Sequence, residues 1–80
     1  MKVALYGKLA AALGNEVEVA VGDGCTITDL RRAVAAAHPG ERDALLSCGT
    51  RACVDDVIVS ESHLLRSTDR VELLPPVSGG

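Results

Sequence analysis

Residues 2–6, 16–21 and 69–74 each alternate apolar with polar side chains, and one stretch of helical period lies between the second run and the third. A period of two sends successive side chains to opposite faces, so each run makes a strand with one face available to a core. In the first run Val3 and Leu5 share a face against Lys2, Ala4 and Tyr6. In the second, Val17, Val19 and Val21 oppose Glu16, Glu18 and Ala20; in the last, Val71 and Leu73 oppose Glu72 and Leu74. Gly7 ends the first strand and residues 8–13 favour a short helix. Gly14-Asn15 then turns the chain so that the first two strands pair as a hairpin-like unit.

Gly22-Asp23-Gly24 breaks the second strand, and Thr26 stands three residues ahead of Asp29, a capping box with aspartate in place of glutamate. A helix is therefore predicted over residues 27–38, with Ile27, Leu30, Val34 and Ala37 as its apolar stripe and Asp29 and Arg32 on the opposite side. Pro39-Gly40 stops it, and residues 41–46 add one or two further helical turns. Short apolar runs at 51–54 and 57–59 flank Asp55-Asp56, whose side chains bond readily to their own backbone and suit a tight hairpin turn. Residues 60–68 connect this hairpin to the last strand. The order strand, strand, helix, strands predicts an α+β domain, a mixed sheet packed on one main helix.

Eighty residues supply one domain with one core, and at that size core and catalytic cleft compete for the same side chains. The core is drawn from small aliphatics: 10 Val, 10 Leu and 11 Ala accompany one Tyr and no Phe or Trp. A carrier or binding module is favoured over a self-sufficient enzyme. Eight Lys and Arg against eleven Asp and Glu leave a net charge of -3 with no basic run, which speaks against nucleic acid as a partner. Stacking platforms for single strands are also lacking. Apolar stretches fall short of a membrane span, and Gly7-Lys8 interrupts the N-terminal one below the length of a signal-peptide core. Cys25, Cys48 and Cys53 form no Cys-x-x-Cys and cannot all pair, which favours a reducing compartment over a disulfide scaffold. The expectation is a soluble, cytoplasmic protein that contacts no membrane. Cys48 and Cys53 with His63 lack a fourth ligand, so no metal is expected. His38 and His63 are expected at the surface, and no cysteine has an activating neighbour that would make it a persulfide carrier.

After the last strand the sequence is Leu74-Pro75-Pro76-Val77-Ser78-Gly79-Gly80. Consecutive prolines donate no ladder hydrogen bonds and favour an extended course, so the sheet should end at Leu74. Residues 1–74 are expected to form the domain, and residues 75–80 a tail that is flexible at its Gly-Gly end and projects roughly 15 to 20 Å. Two glycines without Cβ let a backbone lie in a narrow channel with its terminal carboxyl group reachable from several sides. That carboxylate, on Gly80, is the predicted reactive group, and prolines behind it reduce the ordering entropy of insertion. Chance gives two terminal glycines to roughly half a percent of chains, so the pair is moderate evidence alone and considerably stronger when joined to this body and this proline brake.

The order of elements resembles the β-grasp, ubiquitin-like fold. The ending from Leu73 to Gly80 is similar to that of sulfur carriers of the MoaD/ThiS type, most like MoaD, the small subunit of molybdopterin synthase. The resemblance runs the whole chain through the opening strand, the Thr26-Ile27 helix start with Leu30-Arg31, residues 69–71 and the tail. It implies that a MoeB-like adenylating enzyme uses ATP to convert the Gly80 carboxylate to an acyl adenylate. A sulfur donor protein then displaces AMP and leaves a thiocarboxylate. It further implies that the tail, Pro75, Pro76, Val77, Ser78, Gly79 and Gly80, inserts into a MoaE-like large subunit. There sulfur passes to cyclic pyranopterin monophosphate to build the molybdopterin dithiolene. Catalytic side chains and the pterin pocket would belong to that partner, and this chain would bind no cofactor itself.

Family members often carry aromatic residues where this chain has Leu73 and Leu74. Strand alternation places Leu74 with Tyr6 and Ala4 away from the helix, an expected apolar patch for docking. Glu16, Glu18, Asp69 and Glu72 either complement a basic partner surface or form an ordinary solvated face, and the sequence weighs the two equally. A ThiS-like carrier for another pathway shares the same activation chemistry, and a ubiquitin-like modifier would instead join Gly80 to lysines of other proteins. A non-covalent interaction domain would work without Gly79-Gly80.

Overall fold

The computed structural model describes residues 1–75, in the order β1 (Lys2–Leu5), α1 (Gly7–Leu13), β2 (Glu16–Glu18), α2 (Ile27–Ala37), a 3-10 turn (Pro39–Glu41), α3 (Arg42–Leu46), β3 (Arg51–Val54), β4 (Val57–Val59) and β5 (Val71–Leu74). The strands form one mixed sheet in the order β2-β1-β5-β3-β4. The pairing of β1 with β5 at its centre is parallel and the other pairings are antiparallel. Register makes the inner face continuous, since Val57, Val54, Val71, Val3 and Val17 lie side by side across all five strands. Leu5, Leu73 and Ala52 form the next row. β-Branched residues stacked in this way suit a pleated surface. Ile27, Leu30 and Val34 of α2, Leu9 of α1, Leu45 of α3 and Leu65 of the connecting segment complete the core, each at most 1% exposed.

The capping box forms as the sequence predicts. Asp29 N–H donates to Thr26 Oγ1 at 3.2 Å and Thr26 N–H donates to Asp29 Oδ2 at 3.0 Å. The backbone bond from Thr26, followed by its side-chain bond, holds the Asp29 carboxyl below its ordinary range. Its stabilising share is therefore complete above the ordinary aspartate value and fades as pH falls through the lowered one. Thr26→Ala should cost about 1 kcal/mol. For a domain of this size that lowers the thermal midpoint by roughly 4–8 °C, and a melting curve checks it.

Three local expectations need correction. β2 stops at Glu18 rather than Val21, although Val19 N–H donates to the Met1 carbonyl at 2.9 Å and the Met1 amino group donates to the Val19 carbonyl at 2.8 Å. The pairing thus runs on through the N-terminus. In α2 the buried face takes in Arg31 and Ala35 while Ala37 is exposed. The stripe is turned toward the side where Arg31 meets α3. The β3–β4 turn has both central residues left-handed, Asp55 at φ 50° and Asp56 at φ 70°, as two-residue hairpins require. The Asp55 carboxylate, however, accepts from Arg70 N–H at 3.3 Å and so ties the hairpin to the start of β5.

Arg31 is a charged residue in the core, 5% exposed. Its Nη1 donates to the carbonyls of Leu45 at 2.9 Å and Ser47 at 3.2 Å, and its Nη2 donates to the carbonyl of Thr50 and to Glu61 Oε2. Nε lies 2.9 Å from Glu61 Oε1, near enough to pair as ions though not aligned as a hydrogen bond. One guanidinium thereby supplies donors to the irregular segment that leads from α3 to β3. Thr50, 1% exposed, reinforces it by donating from Oγ1 to the Ala44 carbonyl at 2.7 Å.

Candidate functional site

With every helix on the inner side, the outer face of the sheet is left open. Register lines up Ile58, Cys53, Glu72, Ala4 and Glu16 across it, with Leu74 beside Arg51 in the next row. Tyr6 follows β1 in extended conformation and is 45% exposed. Its hydroxyl donates to Glu72 Oε2 at 2.5 Å. The face expected to be an apolar patch is therefore mixed: Ala4 and Leu74 are half-buried, and Tyr6 presents a ring whose polar end is already engaged. Leu73, the other leucine of the predicted anchor, is fully buried on the inner face. Only Leu74 of that pair is available outside.

Hydrogen bonding to Glu72, then the carboxylate's charge, raises the Tyr6 phenol above its ordinary value; Asp56 adds to the rise and Arg70 opposes it. A raised folded value means that the contribution is complete below about pH 10 and is lost as pH climbs through the raised one. Tyr6 is the sole tyrosine and there is no tryptophan, so ultraviolet absorbance follows its ionisation directly. The midpoint should lie above that of free tyrosine, and Glu72→Gln should bring it down. An unchanged midpoint in Glu72→Gln would count against the bond.

Glu16, Glu18, Asp69 and Glu72, the acids that the sequence singles out, line one open groove on this face with Met1, Lys2, Tyr6 and Arg70. Lys2 Nζ is 4.0 Å from Glu16 Oε1, so part of the negative charge is offset at the β2 end. The groove is a shallow surface, suited to contact with a partner rather than to enclosing a substrate.

At the end of β5 the chain reaches Pro75, the last residue described and half-buried. It lies against Gly7, where φ is +58°. A Cβ at Gly7 would stand 2.7 Å from Pro75 Cγ. Pro75 is thus held on the domain, where the sequence expectation gave it to the tail. Pro76, Val77, Ser78, Gly79 and Gly80 lie outside the described residues. Gly7 was read from sequence only as a strand breaker; its position before the helix gives no hint of a distant proline.

Cys53 is buried on the outer face between Glu72 and Ile58, and burial first, then the charges of Glu72 and Asp56, pushes its thiol up. A thiol so held is the less reactive form. Cys25 is half-buried and Cys48 exposed, and all three are free. His38 and His63 are half-buried rather than fully exposed. Among the described residues no group of three or more His, Cys, Asp or Glu side chains is placed to hold a metal, and no helix is long and apolar enough to cross a membrane.

The sequence pattern of the ThiS family matches residues 3–80. A molybdopterin synthase sulfur carrier subunit from Chlamydomonas reinhardtii is 31% identical over 81 residues, covering 100% of this chain and 98% of that protein. Among solved structures, SAMP1 from Haloferax volcanii superposes with a TM-score of 0.81 at 27% identity, covering 99% of this chain and 97% of that one. A Pyrococcus furiosus protein provisionally described as molybdopterin converting factor, subunit 1, gives 0.80 at 23% identity, with 95% of each chain covered, and shares the β-grasp fold.

Proposed function

We propose, from the premise that this chain belongs to the ThiS family, that it is the sulfur-carrying small subunit of a molybdopterin synthase. The observation that carries the pathway is the 31% identity, end to end, with the sulfur carrier subunit of Chlamydomonas reinhardtii. A β-grasp body whose outer face carries an open groove lined by Glu16, Glu18, Asp69 and Glu72 supports the division of labour. This chain brings sulfur, and the reaction chamber belongs to a larger partner.

In this reading a Gly80 carboxylate oxygen attacks the α-phosphorus of ATP on an activating enzyme, and pyrophosphate leaves. The acyl adenylate then has AMP as a good leaving group. Sulfide delivered from a donor protein attacks the acyl carbon, the C–O bond to AMP breaks, and the Gly80 thiocarboxylate remains. Its sulfur is a strong nucleophile at neutral pH. On the large subunit this sulfur bonds to a carbon of the pterin precursor as the C–O bond there breaks and its oxygen leaves, and water then hydrolyses the resulting thioester, leaving a thiol on the product and the carboxylate on Gly80. Cytoplasmic location follows from the same reading, since ATP and a reduced sulfur donor are both needed.

Docking is assigned to Leu74 and Tyr6 with the acidic groove beside them, and insertion to residues 76–80, with Pro75 at their root on the domain. Leu74→Glu adds a charge on the outer face at the root of the tail. It should weaken binding to the large subunit by about tenfold or more, given the cost of burying an unpaired carboxylate at an interface. Titration calorimetry with the thiocarboxylated chain measures this, and formation of the dithiolene product from the precursor tests the function itself. Equal affinity would remove Leu74 from the interface; loaded carrier that yields no product would turn the reading toward another acceptor pathway. SAMP1, a small archaeal modifier protein, favours one second reading, conjugation of Gly80 to lysines. Higher-mass covalent adducts that survive thiols and denaturant would mark it.

A further inference from the structure

The β1–α1 junction touches the end of β5 at two successive residues. Tyr6 bonds Glu72 through its hydroxyl, and Gly7 receives Pro75. The second contact depends on two separate properties of Gly7. Its φ of +58° is one that side chains rarely adopt, and the space where a Cβ would project is filled by the proline, with Cγ at 2.7 Å, Cδ at 3.7 Å and Cβ at 3.9 Å from it. Real Cβ atoms essentially never come within 3.0 Å of such a neighbour, so any side chain here must displace Pro75. Proline in turn contributes a fixed φ and a rigid ring, a shape that fits one seat or none. By contrast, no described residue lies within 4 Å of a Cβ built at Gly14, Gly22, Gly24 or Gly40.

We infer that Gly7 is a positioning residue for the carrier chemistry, the seat on which Pro75 fixes the point from which residues 76–80 depart toward the partner's active site. The inference rests on the sulfur-carrier reading and adds to it a residue far in sequence from the tail. Gly7 meets neither ATP nor sulfur; it acts through Pro75. A terminal carboxylate must arrive at the activating enzyme's phosphate within a near-attack geometry, and misplacement by about 1 Å can cost about a hundredfold in rate. Moving a Cβ–Cγ contact from 2.7 Å to ordinary packing demands a shift of that order at the base of the tail.

The test uses the full chain with its native adenylating enzyme, ATP and a sulfur source. Thiocarboxylate formation is followed over a range of carrier concentrations. Gly7→Ala and Gly7→Asn both place a Cβ against Pro75, and asparagine tolerates the left-handed backbone better, so a shared defect is not one of folding. Both should lower the maximal loading rate about ten- to a hundredfold while the carrier concentration for half-saturation changes less than about threefold, because the side chains of the docking face are unaltered. Pro75→Ala removes Cγ and Cδ and leaves only the atom at 3.9 Å, an ordinary contact. Within that background Gly7→Ala should cause little further loss. A purely structural glycine would show the same loss with either residue at 75 and would move the melting midpoint rather than the rate. Loading by Gly7→Ala and Gly7→Asn at the unaltered rate, or an equal loss in the Pro75→Ala background, overturns the seat. Failure of the unaltered chain to load overturns the carrier reading beneath it, and the seat's role in loading falls with it.

Discussion

Arg31→Met is expected to remove about 3 kcal/mol of stability, because a buried cation that fills several acceptors at once is lost and the acceptors stay buried. The carbonyls of Leu45 and Thr50 accept from this one guanidinium, which is 5% exposed, and the Ser47 carbonyl accepts from it and from the Thr50 N–H. A domain of this length has only about 4 to 12 kcal/mol in total. The thermal midpoint should therefore fall by roughly 12–24 °C. Arg31→Lys should recover only part of it, since an ammonium has no planar fork to reach three carbonyls and Glu61 together. Glu61→Gln should cost under about 1 kcal/mol, because the Glu61 side chain is 53% exposed and water screens the pair. The comparison locates the effect in the carbonyls rather than the salt bridge. A melting curve for Arg31→Met within a degree or two of the unaltered chain would contradict this account of the α3–β3 segment.

The second large effect concerns chemistry and leaves stability alone. In the proposed function, deleting Gly80, or adding one residue after it, should abolish sulfur loading, because the carboxyl group to be adenylated would no longer end a Cβ-free dipeptide. Among the described residues the core lies before Pro75, so melting should be unchanged. Loss of loading together with loss of fold would place the tail in the domain instead. Retained loading on the extended chain would remove Gly80 as the acceptor of sulfur.

Period-two alternation told true where one face was packed and the other free. Val3 and Leu5, Val17 and Val19, Val71 and Leu73 all turned inward, and the capping box at Thr26 and Asp29 formed as predicted. The helical stripe failed at its end. Ala37 and Ala35 are chemically alike, and only the placement of α3 decides which of them is covered. Arg31 was hidden for a related reason: a charged residue within an apolar stripe is read as solvated unless its distant acceptors are known. Those acceptors, at residues 45, 47 and 50, are backbone carbonyls that a sequence cannot display.

The outer face shows the same division. Glu16, Glu18, Asp69 and Glu72 were visible as acids, yet only the order β2-β1-β5 brings them around one groove. Tyr6 was visible as an outward ring, and its bond to Glu72 follows from the parallel register of Ala4 with Glu72. Gly7 and Pro75 were each legible alone, as a breaker and as a brake, and their contact spans nearly the whole chain. Residues 76–80 lie outside the described residues, and their chemistry stands as what the resemblance of the sequence implies.

The most direct test of the central claim is the intact mass of this chain after incubation with ATP, a sulfur source and its native adenylating enzyme, beside a control lacking Gly80. The account predicts a gain equal to the exchange of one oxygen for one sulfur, absent from the control. No gain, under conditions in which an established carrier loads with its own enzyme, would contradict it.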